Sequence, residues 1–100
     1  MLRILMFLAF GGILGNAALA QDFPFVGQWD CQVATFTFDQ RGYDNGSDYL
    51  PYVDVTDAGD GNWLIDFADG YQIGLSGVTE SSMQWLSMAS GDMFDCARIE

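Results

Sequence analysis

Two cysteines, Cys31 and Cys96, limit what this chain can fold into more than any other feature. They stand 65 residues apart (96 − 31), so a bond between them ties the start of the folded part to its end. The segment before them sets the compartment. The chain opens MLRILMFLAFGGILGNAALAQ, with one positive residue at Arg3, an apolar run over residues 4–14 and the small-residue ending Ala18-Leu19-Ala20. That is the pattern of a secretory signal peptide cut after Ala20, and the run is shorter than the roughly 20 apolar residues of a spanning helix. No cysteine follows the cut to carry a lipid anchor. Residues 1–20 are therefore expected to leave on export, and residues 21–100 to form a single small domain, secreted or periplasmic and not held at the membrane.

Eighty residues (100 − 20) bury too little surface to be comfortably stable through their core alone, and a covalent staple is a common remedy. Closing a loop of this length contributes about 4 kcal/mol in the chain-entropy model. The Cys31–Cys96 disulfide is thus expected to join the first and last strands of the domain.

The pattern along the chain is all-β, with no helical period and no internal repeat. Residues 21–26 (QDFPFV) read as a lead-in whose Phe23 and Phe25 can pack on the body, with Pro24 discouraging a ladder position. Residues 27–38 (GQWDCQVATFTF) read as one long strand. Its apolar phase slips from Trp29, Cys31 and Val33 to Ala34, Phe36 and Phe38, as a β-bulge or bend at a barrel corner would produce. Residues 39–48 are rich in Gly, Asp and Asn and read as the longest loop. Asn45-Gly46-Ser47 fits a glycosylation acceptor in a eukaryotic secretory pathway, but Asn-Gly is also a turn signal, and the turn is the expectation. A second strand is expected over 52–55 and a turn over 57–61.

The next connection can be worked out from side-chain alternation. Trp63, Ile65 and Phe67 share one face, and Tyr71, Ile73 and Leu75 repeat the pattern. A two-residue Asp69-Gly70 turn would mix polar and apolar residues on one face. A three-residue Ala68-Asp69-Gly70 loop with Gly70 left-handed pairs Phe67 with Tyr71, Ile65 with Ile73 and Trp63 with Leu75, and only that register agrees with the alternation. A fifth strand over 83–88 and a sixth over 93–99 complete the set. A turn at Ser90-Gly91 sets Trp85 opposite Cys96, Ser87 opposite Phe94 and Met88 beside Met93. The expected fold is a small antiparallel meander of about six strands, forming a barrel or strongly curled sheet.

Composition removes most chemistry. The chain has no histidine, which excludes mechanisms that need an imidazole. It has no lysine, which excludes Schiff-base chemistry, and the pairing of both cysteines removes thiolate catalysis. Carboxylates alone could cleave a glycoside, but most of the acids fall in turns or at outward strand positions. The chain is therefore read as a non-enzyme with no cofactor. Residues 21–100 hold fourteen acids against Arg41 and Arg98, a formal charge of −12, which repels phosphate backbones and rules out nucleic acid as a partner. A basic protein remains open, as does a second copy. Asp54, Asp57, Asp60 and Asn62 offer oxygen ligands of the kind calcium takes. The EF-hand pattern fails, because Gly59 and Gly61 stand at its third and fifth positions, so no metal site is assigned beyond that weak calcium candidate.

Trp29, Trp63 and Trp85 are expected inside, where they fill a core too small for a roomy cavity. Leu64, Leu86, Met88, Met93 and Ile99 fall at outward positions. Either Phe23 and Phe25 cover them, or they form an exposed patch for a partner. Leu86, Met88 and Met93, with Arg41 and Tyr43 of the 39–48 loop, are the candidate partner-binding residues.

Two resemblances bear on this. Gly27-Gln28-Trp29 is similar to the Gly-x-Trp opening of lipocalin-like barrels, and implies a small meandering barrel without implying a ligand. Trp29-Asp30-Cys31 with the ending Cys96-Ala97-Arg98 resembles the periplasmic inhibitors of c-type lysozyme, which are acidic partners of a basic enzyme. Their loop is of Ser-Gly-x-x-Tyr type, and here Ser90-Gly91-Asp92-Met93-Phe94 has Phe where Tyr is expected, so no site residue is carried over. Three functions follow as expectations: a surface-acting binding module, an acidic inhibitor of a basic secreted lysozyme or protease, and a carrier of a small apolar ligand.

Overall fold

The computed structural model describes residues 23–99; the expected signal peptide and its cleavage site lie outside them. Nine strands run through the described residues: β1 Gly27–Asp30, β2 Thr35–Phe38, β3 Gly42–Asp44, β4 Tyr49–Pro51, β5 Asp54–Gly59, β6 Asn62–Asp66, β7 Gln72–Ser76, β8 Ser82–Ser87 and β9 Met93–Arg98. They form one antiparallel sheet in the order β4-β3-β2-β1-β9-β8-β7-β6-β5, curled into a half-barrel. Every strand pairs with its chain neighbour except β4 and β5, which are the two sheet edges. The chain is thus closed between its first and last strands and open between two consecutive ones. The corner at the seam is tied to both sides: Tyr52 N–H donates to Arg41 O at 2.8 Å and Val53 N–H to Asp66 O at 2.7 Å.

The expected staple is present. Trp29 pairs with Arg98 and Asp30 with Ala97, and Cys31 and Cys96 continue that register as a disulfide with Cα atoms 4.1 Å apart. Both cysteines are buried.

The six expected strands become nine for local reasons. The apolar phase slip is a chain reversal, not a bulge within one strand. Cys31 N–H donates to Ala34 O, Gln32 takes φ 75°, and Asp30 Oδ1 accepts from the Gln32 N–H at 3.0 Å. Trp29 therefore faces Phe36 across a hairpin, and Val33, expected inside with Cys31, lies on the turn 63% exposed. The 39–48 segment is two side-chain-capped turns around β3. Asp39 Oδ1 accepts from the N–H of Arg41 and Gly42, and Asn45 Oδ1 from those of Ser47 and Asp48. Asn45-Gly46 is thus in a turn, as expected. The strand expected over 52–55 is a strand only from Asp54, where β5 begins; Tyr52 and Val53 form the corner, and the edge strand β4 before it holds Pro51 where a missing donor costs no ladder bond. The turn expected over 57–61 shrinks to Asp60-Gly61, both left-handed (φ 58° and 79°), as a two-residue hairpin between twisted strands requires.

The three-residue loop is as the alternation dictates. Ile65 faces Ile73, Trp63 faces Leu75, Phe67 N–H donates to Tyr71 O at 2.8 Å, and Gly70 has φ 76°. In the β8–β9 hairpin the register differs by one pair step. Trp85 faces Phe94, Met83 faces Cys96 and Leu86 faces Met93, because the turn is longer and closes with Ser87 N–H on Asp92 O. A two-residue shift preserves the faces, so Cys96, Met83 and Trp85 still point inward.

The core is aromatic. Phe25, Trp29, Phe36, Phe38, Tyr43, Phe67 and Trp85 pack with Ile65, Ile73, Leu75 and Met83. Phe23 and Phe25 stack at 5.1 Å and press on Tyr52 and Trp63, so the lead-in fills the concave side. Arg98 clamps it there, donating to Val26 O, Pro24 O and Glu80 O while its guanidinium lies 4.3 Å from the centre of the Trp29 ring. One of the two arginines of the folded part is thus spent on structure.

Candidate functional site

The pairing of the last four strands builds one row on the outward face. Leu64 faces Gly74, Gly74 faces Leu86, and Leu86 faces Met93. Glycine in the second place leaves room for the Met88 methyl to settle against the sheet, and Gly74 itself is buried. A Cβ on Gly74 would stand 3.1 Å from Met88 Cε and 3.9 Å from Leu64 Cδ2. The result is an almost wholly apolar groove of about 230 Å³, lined by Leu64, Gly74, Leu86, Met88 and Met93, with Ser76 and Gln84 among the residues at its border. Met88 is 44% and Met93 54% exposed.

Of the two fates open to the outward apolar residues, cover by the lead-in is overturned: Phe23 and Phe25 pack on the opposite, concave face. Leu86, Met88 and Met93, with Leu64, are brought together. Ile99 is exposed beyond the end of β9 and takes no part in the groove. Met88 lies diagonal to Met93, since Leu86 is the direct partner.

Polar rows flank the apolar one. On one side Asp54 faces Asp66, and Asp66 Oδ1 accepts from Gln72 Nε2 at 2.8 Å. On the other, Ser76 faces Gln84 and Gln84 faces Asp95, whose Oδ1 accepts from Gln84 Nε2 at 3.0 Å. Alternation places these rows about 7 Å from the apolar one.

The other sequence candidates do not join this face. Tyr43, expected on a loop surface, is buried in the core, its ring stacked on Phe38 at 4.6 Å. Burial pushes its phenol well above the ordinary value of 10, Tyr71 adds to that, and the Trp85 indole N–H slightly opposes it. That N–H nevertheless falls outside hydrogen-bond geometry and is buried without a partner. Arg41 is exposed beside the β2–β3 turn. Nearby, burial pushes the Asp39 carboxyl up, but the N–H groups of Arg41 and Gly42, the Tyr49 hydroxyl and the Arg41 charge outweigh it and hold it below its ordinary value.

Asp54, Asp57, Asp60 and Asn62 do not converge. Asp57 Oδ1 accepts from Gly59 N–H and Asn62 Oδ1 from Gly77 N–H, and no group of three or more acidic or cysteine side chains among the described residues could hold a metal ion. The groove was only half legible in sequence. Its apolar members stood out against the alternation, but the role of Gly74 needed the register of four strands at once.

Among the described residues no helix is long and apolar enough to cross a membrane. The disulfide accords with export to an oxidising compartment. The curled all-β sheet is compatible with a barrel fold. No protein-family model matches the chain, and no curated protein and no solved structure shows significant similarity to it.

Proposed function

We propose that the protein is a non-enzymatic, exported binding module that works through the outward face of β6–β9. One observation carries this reading: an apolar groove lined by Leu64, Leu86, Met88 and Met93 is left open on the outward face while the two aromatic side chains that could have covered it are used inside. An apolar groove rimmed by polar side chains suits contact with a partner. The absence of histidine and lysine, and the oxidised cysteines, support a binding role over a catalytic one. A core filled with aromatic rings disfavours carriage of a small apolar ligand inside the barrel.

The Gly27-Gln28-Trp29 opening begins β1, with Trp29 fully buried under Arg98, and the lipocalin-like reading is kept as a proposal about the barrel and not about a ligand. A second reading, an acidic inhibitor of a basic hydrolase, is favoured by the position of the Ser90-Gly91-Asp92 turn. That turn is exposed and connects Met88 to Met93, two residues that line the groove. Full lysozyme and protease activity at excess protein would remove it.

The binding reading is tested with a neutral, environment-sensitive fluorescent probe and the variant Gly74→Val. Valine suits a strand, and the atom nearest to a Cβ at this position is the flexible end of Met88. Probe emission enhanced by the wild type and lost with folded Gly74→Val supports the groove. Equal enhancement by both, or none by either, overturns it.

A further inference from the structure

The groove's surroundings specify the chemistry of what it takes, given that the outward face is the working surface. At about 230 Å³ it lies below the roughly 300–1,000 Å³ of small-molecule sites, and so suits one or two side chains inserted from a larger partner. Strand spacing and rise put the Cα of Asp66 about 8 Å, and that of Asp95 about 12 Å, from Gly74 on opposite sides. Each carboxylate is oriented through Oδ1 by one amide, Gln72 or Gln84, which leaves Oδ2 available to a further donor.

Asp54 and Asp66 also face each other directly across β5 and β6, an arrangement that destabilises a sheet unless a cation relieves it. Arg98 is engaged with backbone carbonyls, and Arg41, though it lines the same surface pocket as Asp54, makes no ion pair with either carboxylate among the described residues. A second copy of the chain would bring these carboxylates against their own images in an interface between two bodies of formal charge −12, so self-association is disfavoured. The same charge disfavours an anionic lipid surface.

We propose that the groove docks a basic segment of a partner protein, which inserts an aliphatic or aromatic side chain among Leu64, Leu86, Met88 and Met93 and sets Lys or Arg residues against Asp54 and Asp66 on one side and Asp95 on the other. The apolar anchor supplies the affinity, and the carboxylates supply orientation and selection against acidic partners. The inference rests on the outward-face reading and narrows it to one class of partner.

The test uses protein recovered after secretion, titrated into three labelled peptides followed by fluorescence anisotropy at low and physiological salt. The first peptide has a leucine with lysines on both sides. The second replaces the lysines by glutamate, and the third replaces the leucine by serine. The expected result is binding of the first, at least tenfold tighter than either of the others, with Asp66→Asn and Asp95→Asn each weakening it several-fold and flattening its salt dependence. Gly74→Val should weaken it at least tenfold. If Gly74→Val proves unfolded, Leu86→Ser at the same row takes its place with the same expectation. Equal binding of the lysine and glutamate peptides, or of the leucine and serine peptides, overturns the inference. So does failure of the first peptide to bind, or concentration-dependent dimerisation that Leu86→Ser abolishes. If the neutral probe still reports the groove in any of those cases, the outward-face reading stands and the basic partner alone is lost. If neither probe nor peptide binds, both fall.

Discussion

Replacing both cysteines by alanine should bring this domain close to the edge of folding. β1 and β9 meet in only two registered ladder pairs, Trp29 with Arg98 and Asp30 with Ala97, supplemented by Ile99 N–H on Gln28 O at 2.8 Å. The pairings that hold β5–β9 together run to four or five registered pairs each. The arm β1–β4 is therefore joined to the arm β5–β9 by a short ladder, the hydrogen-bonded corner at Tyr52 and Val53, the aromatic core between them and the Cys31–Cys96 bond. Removing that bond frees a 65-residue loop in the unfolded chain, which costs about 4 kcal/mol in the loop-closure model. A domain of this size has a total stability of about 4–12 kcal/mol at typical values per residue. With a urea slope near 1 kcal/mol/M, the unfolding midpoint should fall by about 4 M, and the slope should rise as the unfolded chain expands. Urea unfolding followed by tryptophan fluorescence reads both. Hydrogen exchange adds the order of loss: the Ile99 amide, bonded to Gln28 O across the junction, should lose protection before Ile65 and Ile73. A midpoint within about 1 M of the wild type, with the junction amide still the best protected, would refute the picture of two arms held by one covalent staple.

Further expectations follow from single sites. Gly42→Ala should cost about 2 kcal/mol by urea unfolding, because a Cβ there meets Leu50 O and the Tyr49 ring at 2.7 Å and backbone cannot yield as a flexible side chain does. Arg98→Lys should fail to rescue Arg98→Ala, since one ammonium cannot span the three carbonyls that the guanidinium fork holds; heteronuclear NMR should show Phe23 and Phe25 mobile in both. Tyr43 and Tyr52 have folded pKa values raised mainly by burial, so folding holds their protons. The stability this lends is present below pH 10 and is lost as pH rises above it, and phenolate absorbance from these two should appear only as the protein unfolds. Asp39 behaves with the opposite sign. Its folded value is lowered, so its contribution is present above the ordinary 3.8 and is lost as pH falls below it. Asp39→Asn should flatten the acid limb of stability against pH.

What sequence patterning revealed, and what it hid, follows from the range over which each feature is decided. The 68–70 loop was legible because Trp63, Ile65 and Phe67 and then Tyr71, Ile73 and Leu75 state the alternation twice, and one register satisfies both. The disulfide was legible from compartment and count. The reversal at Cys31–Ala34 was not, because its tip carries an apolar Val33 and its turn chemistry lies in Asp30 capping Gln32, a residue that seldom takes a positive φ. The capped turns of Asp39 and Asn45 hid β3 for a related reason: a strand of three residues is too short to show alternation. Tyr43 looked like a loop residue because its strand was unseen. At the groove, Leu86, Met88 and Met93 stood out as apolar residues in outward phase, whereas Gly74 acquires meaning only when three strand pairings align it with Leu64, Leu86 and Met93.

Three methionines in the folded part make the central claim directly measurable. Met88 and Met93 rim the outward groove, and Met83 lies buried in the core as an internal control. With 13C-labelled methionine methyl groups, addition of the neutral apolar probe should move the Met88 and Met93 signals and leave Met83 in place. Signals that stay put at Met88 and Met93, or a shift at Met83 alone, would mean that the groove of β6–β9 is not where this protein meets its partner.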